Sequence, residues 1–155
     1  MVSNITSGFT YYLFNKINSK VIEWNLQPLI GKALFKKHES IAYIELKIYG
    51  SMEDNYLRSQ VIWNVTDLTS LHSNFKTEIE KSFAFFVRYV SALKGEDIRL
   101  QFEVNDAALD CTAHRQNPFE YAANYALLDC FKESSLTFKK ETVEILKRGM
   151  TAYLK

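Results

Sequence analysis

The stretch IAYIELKIY, residues 41–49, decides the fold, because its apolar and polar side chains alternate. A period of two residues is typical of a strand that buries one face, since successive side chains point to opposite sides of a sheet. The buried set consists of Ala42, Ile44, Leu46 and Ile48. Tyr43 and Tyr49 belong to the other set, where they either form an exposed docking surface or, as we expect, pack under a loop or a later helix.

Strands are expected on both sides of this stretch, where aromatic and β-branched residues are frequent or alternate with polar ones. The segments concerned are residues 9–15, 21–25, 60–65, 98–104, 109–112 and 136–138. A turn at Asn105-Asp106 is expected to join two of them, so that the chain pairs back on itself as a hairpin. The sequence therefore predicts a largely antiparallel arrangement.

Elsewhere the apolar period is that of a helix. Apolar residues recur every three or four positions over residues 68–90, which predicts a long helix with a buried stripe that includes Phe83 and Phe86. Gly95 is expected to end this helix, because glycine readily adopts the left-handed conformation found just after helix ends. A similar pattern from Val143 to Tyr153 predicts a C-terminal helix.

A further helix is expected to start at Asn117-Pro118. Asparagine caps helices, proline is favoured at the first helical position, and Glu120 stands where a capping-box acid belongs. Phe119 begins the apolar face of this helix, which Ala122 and Ala126 continue.

The order of these elements predicts an α+β fold: a two-layer sandwich of a mostly antiparallel sheet with helices on one face and an extra C-terminal helix. A chain of 155 residues with 47% hydrophobic residues matches a single domain, 1–155, with its own core. With only 5 Gly and 2 Pro, little of the chain is suited to long loops.

Charge and hydropathy restrict the class of protein. The net charge is +1 and evenly spread, so the basic field of most nucleic-acid binders is absent. Two small basic runs, residues 36–38 and 139–148, are interpreted as solvated faces. Neither a signal peptide nor a membrane-spanning run is recognised, and this predicts a cytoplasmic protein without membrane contact. Its two cysteines are therefore expected to be reduced.

The stretch DCTAHRQNPFEYA, residues 110–122, contains the most reactive set of side chains. Cys111 with His114 and Asp110 has the composition of a thiol nucleophile, its base and an orienting acid. Three residues of extended chain separate Cys111 from His114 by about 10 Å, so they meet only if the turn folds back sharply. We therefore interpret the stretch as an ordinary strand-to-helix turn and keep the catalytic trio as the alternative.

Neither a metal site nor a cofactor site is predicted. The three histidines are isolated from one another, and neither cysteine belongs to a pair with zinc-ligand spacing. No glycine-rich phosphate-binding motif is present. An acidic cluster of Glu103, Asp106 and Asp110 is interpreted as a solubilising turn rather than as general acid–base machinery.

Residues 104–130 follow a known pattern without a gap. Asp106-Ala107 corresponds to an Asp-Gly turn, Asp110-Cys111-Thr112 to His-x-Val, and Pro118-Phe119 to the Ala-Phe that opens a helix. This stretch resembles domain IV of translation elongation factor G. The resemblance extends back to about residue 68 and includes the preceding helix and strand. This resemblance implies the ribosomal protein S5 domain 2-like fold. Since the residues at the family's functional tip are replaced, the resemblance does not imply its role in translocation.

Two functional hypotheses remain open. The first is a non-catalytic binding module that contacts a protein partner, the ribosome or RNA through a hairpin tip and the strand-to-helix turn. Its binding residues would be Asp106, Asp110, His114 and Arg115. The second is a small enzyme or ligand binder that uses Cys111 and His114, or a pocket between the sheet and the helices.

Overall fold

The structure, a computed structural model, describes residues 12–37, 40–51, 59–65, 75–110 and 118–154. A four-stranded sheet and four α-helices are present over these residues, which confirms the α+β class. The strands are β1 (Leu29–Lys37), β2 (Ser40–Gly50), β3 (Ser59–Trp63) and β4 (Leu100–Asp110). The helices are α1 (Asn18–Glu23), α2 (Phe75–Lys94), α3 (Phe119–Cys130) and α4 (Lys140–Leu154), and a 3-10 turn, Asn15–Ile17, precedes α1.

The strands are arranged in the order β1-β2-β4-β3. β1 and β2 form an antiparallel hairpin, β2 and β4 are also antiparallel, and β3 is parallel to β4. The sheet is therefore mixed, with two antiparallel pairs and one parallel pair among the described strands. The parallel pair arises because α2 lies between β3 and β4 and returns the chain to the starting edge, as a crossover connection does.

The inner face of the sheet carries the main core. The alternation in residues 41–49 is confirmed, since Ala42, Ile44, Leu46 and Ile48 are all fully buried. α2 and α3 pack against this face, and the Phe83 ring stacks on Phe102 of β4 with ring centroids 4.2 Å apart. Phe86 is also fully buried, so the predicted stripe of the long helix is confirmed where it is described.

The ends of the helices follow local backbone chemistry. Gly95 ends α2 with a φ of 68°, and the N–H groups of Gly95 and Glu96 both donate to the Ser91 carbonyl, as predicted for a glycine after the helix end. α3 begins at Phe119, with Pro118 as its N-cap residue, one position later than the sequence indicated. The predicted cap, Asn117, lies outside the described residues.

The N-terminal strand predictions are wrong. Residues 12–23 are helical, because Phe14, Ile17 and Val21 are spaced by three and four positions and are all buried on one side. The Tyr89 hydroxyl donates to the Phe14 carbonyl over 2.6 Å, which fixes this segment on α2. Tertiary packing here outweighs the strand preference of aromatic and β-branched residues.

The turn predicted at Asn105-Asp106 is also wrong, and so is a separate strand from residue 109. β4 runs without a break to Asp110, and its pairing with β2 skips one residue, since Glu45 is opposite Asp106 and Leu46 is opposite Val104. Asn105 is the extra residue of a β-bulge. Asp106 therefore lies within a strand and not at a hairpin tip.

The predicted C-terminal helix is present as α4, and it packs against the outer face of the sheet rather than beside α2 and α3. A second, smaller apolar cluster joins them, formed by Tyr43, Ala108, Val143 and Leu146. Tyr43 is thus covered by the added helix, as expected, and Tyr49 is half-buried and donates to Glu103 over 2.7 Å. None of the described helices combines the length and the apolar character needed to cross a bilayer.

Candidate ligand-binding cavity

A cavity of about 640 Å³ lies between the outer face of the sheet and α4. Its floor is a charged row across three strands, because Lys32 of β1 is in register with Glu45 of β2, and Glu45 with Asp106 of β4. Tyr43 lies two residues before Glu45 and continues the floor on the same face. Side chains of three different strands therefore converge on one space.

The roof of the cavity comes from α4 and from the irregular chain before it. Val143 and Lys147 are four residues apart on α4, so both point to the sheet. Residues 136–138, which the sequence assigned to a short strand, form no regular element and line the wall. The Phe138 ring meets Tyr43 edge to face, with centroids 5.7 Å apart.

The bulge in β4 places Asp106 in the cavity. In a regular strand Asp106 would share the face of Val104, which is buried in the main core. The extra residue Asn105 shifts the alternation, so Ala107 faces the core and Asp106 faces outward. A single inserted residue thus exchanges a buried carboxylate for one that lines a cavity.

Tyr43 joins the apolar and charged parts of the cavity. Its hydroxyl donates to Glu45 Oε2 over 3.2 Å. Burial raises the pKa of Tyr43 above its usual range, and the negative charges of Glu45 and Asp106 raise it further. The phenol therefore stays neutral at physiological pH and acts as a hydrogen-bond donor.

Lys147 extends from α4 to the floor of the cavity. Its ammonium donates to Asp106 Oδ2 and lies 5.8 Å from the centroid of the Tyr43 ring. The Lys147 side chain is 44% exposed and that of Asp106 29% exposed, so this ion pair is in contact with water. An ion pair of this kind contributes little to stability, and it can open at low cost.

The other predicted site residues are distributed differently. Asp110 is exposed as the last residue of β4 and does not line the cavity. Cys111, His114 and Arg115 lie outside the described residues, so the trio of Cys111, His114 and Asp110 stays a hypothesis.

The second thiol can be placed. Cys130 is a free thiol with 4% of its surface exposed, and burial raises its pKa, so it is neutral and shielded from reagents. Across the described residues, no group of three or more His, Cys, Asp or Glu side chains is placed to hold a metal ion.

Sequence reasoning identified only part of this cavity. It selected Asp106 as a binding residue and expected Tyr43 to be covered, but it assigned Lys147 to a solvated face and gave no role to Lys32 or Glu45. The sequence did contain one indication of this geometry. The alternation of buried and exposed positions changes phase between Val104 and Ala107, and such a change marks a β-bulge if the strand continues through it.

Comparisons with known proteins add no constraint to this geometry. No protein-family model matches the chain. A search of curated proteins gave no significant match either.

Proposed function

We propose that this protein is a non-catalytic binding protein whose ligand is a small molecule held between the outer face of the sheet and α4. The cavity itself carries the proposal, since about 640 Å³ lies within the usual range of ligand sites. Apolar surface from Tyr43, Leu136, Phe138 and Val143 adjoins seven charged side chains in the lining, so the site is more polar than most small-molecule sites and suits a ligand with a polar or charged group.

The chemistry of the lining supports binding rather than catalysis. Its described side chains include neither histidine nor cysteine, and Thr137 supplies its only aliphatic hydroxyl. A nucleophilic hydroxyl needs a base within hydrogen-bond reach. The carboxylates on the floor are instead engaged with Tyr43 and Lys147. These groups are suited to orienting a ligand.

Contact with a protein partner, the ribosome or RNA is the second candidate, and an aromatic stack favours it. Phe35 stacks on Tyr121 with centroids 5.1 Å apart, and the Lys37 ammonium lies 4.8 Å from the Tyr121 centroid. The stack lies at the end of the sheet that carries Asp110. Aromatic and cationic groups together bind single-stranded nucleic acid. We favour the cavity over this second candidate because Asp106, one of the residues expected to contact the macromolecule, faces into the cavity.

The resemblance to domain IV of elongation factor G, its S5 domain 2-like fold and a cytoplasmic location remain part of the proposal. All three are expectations from the sequence. Single-stranded RNA binding that depends on Tyr121 and not on the cavity would favour the second candidate.

The proposal is tested by a cavity-filling variant and a matched control on the same helix. Val143→Trp inserts a large side chain into the cavity, whereas Ile145 is 66% exposed and lies outside the lining, so Ile145→Trp leaves the cavity open. We expect 2-phenylethanol to bind the wild type and Ile145→Trp alike in ligand-observed NMR, and Val143→Trp to lose binding while its circular dichroism spectrum is retained. Equal binding by both variants would place the ligand elsewhere.

A further inference from the structure

One corner of the cavity combines two carboxylates with an aromatic ring. Two carboxylates lie near Tyr43: Glu45 accepts a hydrogen bond from the Tyr43 hydroxyl, and Asp106 accepts one from Lys147. The face of an aromatic ring is itself electronegative, so ring and carboxylates attract a cation together. Tyr43, Glu45 and Asp106 are called the ammonium corner below.

An ammonium already occupies this corner. The Lys147 Nζ forms an ion pair with Asp106 and lies 5.8 Å from the centroid of the Tyr43 ring. A primary ammonium group of a ligand would make the same two contacts, one with a carboxylate and one with a ring face. Lys147 reaches the corner on a flexible stem from α4, and the pair is part-exposed. The side chain can therefore be displaced by a competing cation.

The corner has further hydrogen-bond capacity. A carboxylate accepts about four hydrogen bonds, and the Tyr43 hydroxyl takes one at Glu45. A second donor can thus be accommodated beside Lys147 or in its place. The lining carries four carboxylates, from Glu45, Asp106, Asp129 and Glu144, and three ammonium groups, from Lys32, Lys140 and Lys147, so an anionic ligand is disfavoured.

The rest of the lining fits an apolar body attached to such a cation. Leu136, Phe138 and Val143 line the cavity on the side of α4 and the segment before it. Phe138 already packs edge to face on Tyr43, a geometry that a ligand ring could extend.

We infer that the cavity binds amines with an apolar or aromatic body, whose ammonium group enters the ammonium corner and displaces Lys147. This inference rests on the proposed binding function of the cavity. Lys147 then acts as an internal competitor that holds the corner in the absence of ligand. Removing its charge should strengthen the binding of amines relative to the binding of neutral ligands.

The test uses three ligands of similar shape: 2-phenylethylammonium, 2-phenylethanol and 3-phenylpropionate. At pH 7 they carry a positive charge, no charge and a negative charge. We expect the ammonium compound to bind the wild type more tightly than the alcohol by about tenfold, the size of a moderate cation–π contact with a carboxylate nearby, and the propionate to bind least.

Three variants separate the ammonium corner from the cavity as a whole. Lys147→Met removes the internal ammonium and should raise the affinity for 2-phenylethylammonium several-fold relative to the affinity for the alcohol. Lys139→Met removes a lysine that is exposed and outside the lining, and should change neither. Glu45→Gln should lower the affinity for the ammonium compound relative to the affinity for the alcohol, and it keeps the inference testable if Lys147→Met does not fold.

The outcomes distinguish this inference from the proposed function. If the alcohol binds as tightly as the ammonium compound in the wild type, the cavity binds ligands but the ammonium corner does not select them. If the propionate binds most tightly, the site prefers anionic ligands and the inference is overturned. Failure of all three compounds to bind would contradict the proposed function as well.

Discussion

At the scale of single residues, the surroundings of Glu120 disfavour the ionised form of its carboxyl group. It lies in the first turn of α3, where burial raises its pKa and the carboxylate of Glu78 raises it further, against a smaller opposing effect of Lys81. A carboxyl group with a raised pKa binds its proton more tightly in the folded protein than in the unfolded chain. Its contribution to stability is therefore greatest below about pH 4.5 and is lost as the pH rises.

Glu120→Gln should accordingly raise the free energy of unfolding at pH 7 relative to the wild type, and the difference should shrink toward pH 4. Glutamine keeps a similar shape without the charge. Urea denaturation at both pH values measures this effect, and Glu80→Gln, at an exposed position on α2, serves as the control. A variant less stable than the wild type at pH 7 would mean that the Glu120 charge is favourable in the fold.

Residue chemistry also limits what the sequence could reveal of the cavity. Asp106 was expected at a turn, and it lies instead beside a bulge, where it lines the cavity. From the sequence alone, Lys147 cannot be distinguished from a lysine on a solvated face. Its role depends on a contact with Asp106, 41 positions away, which no local pattern encodes.

At the scale of elements, local periodicity predicted the long helix, the C-terminal helix and the strand at residues 41–49. β1 was missed because its buried positions include Gly31 and Ala33, which are too small to produce an apolar signal. Their size has a structural reason, since α3 crosses close to this strand. A Cβ atom added at Gly31 would lie 2.1 Å from the Ala126 carbonyl oxygen and 2.7 Å from the Cys130 amide nitrogen.

Gly31→Ala should therefore destabilise the protein by about 1–3 kcal/mol, the usual cost of overpacking, because both atoms belong to backbone that cannot move alone. Gly95→Ala is the matched control: nothing lies within 4 Å of its added Cβ, and its φ of 68° should cost about 1 kcal/mol. Urea denaturation gives both values. A smaller loss at Gly31 than at Gly95 would contradict the close approach of α3 to β1.

At the scale of the whole molecule, the sheet separates two unequal layers. α2 and α3 cover its inner face with the main core, whereas α4 is attached to the outer face by a small cluster that includes Tyr43 and Val143. The sequence predicted the α+β class and the added helix, since both follow from local periods. It did not predict the parallel pairing of β3, and it offered a pocket between the sheet and the helices only as an alternative without naming its lining, because both features depend on how distant segments meet.

Whether a ligand binds under α4 is best tested by backbone amide spectra recorded during a titration with 2-phenylethylammonium. If ligands bind under α4, we expect saturable shift changes concentrated at the cavity, at Tyr43 and Glu45 of β2, Asp106 of β4 and Val143–Lys147 of α4, with the amides of α2 unchanged. Saturable changes centred on Phe35 and Tyr121, with the cavity amides unaffected, would contradict this expectation.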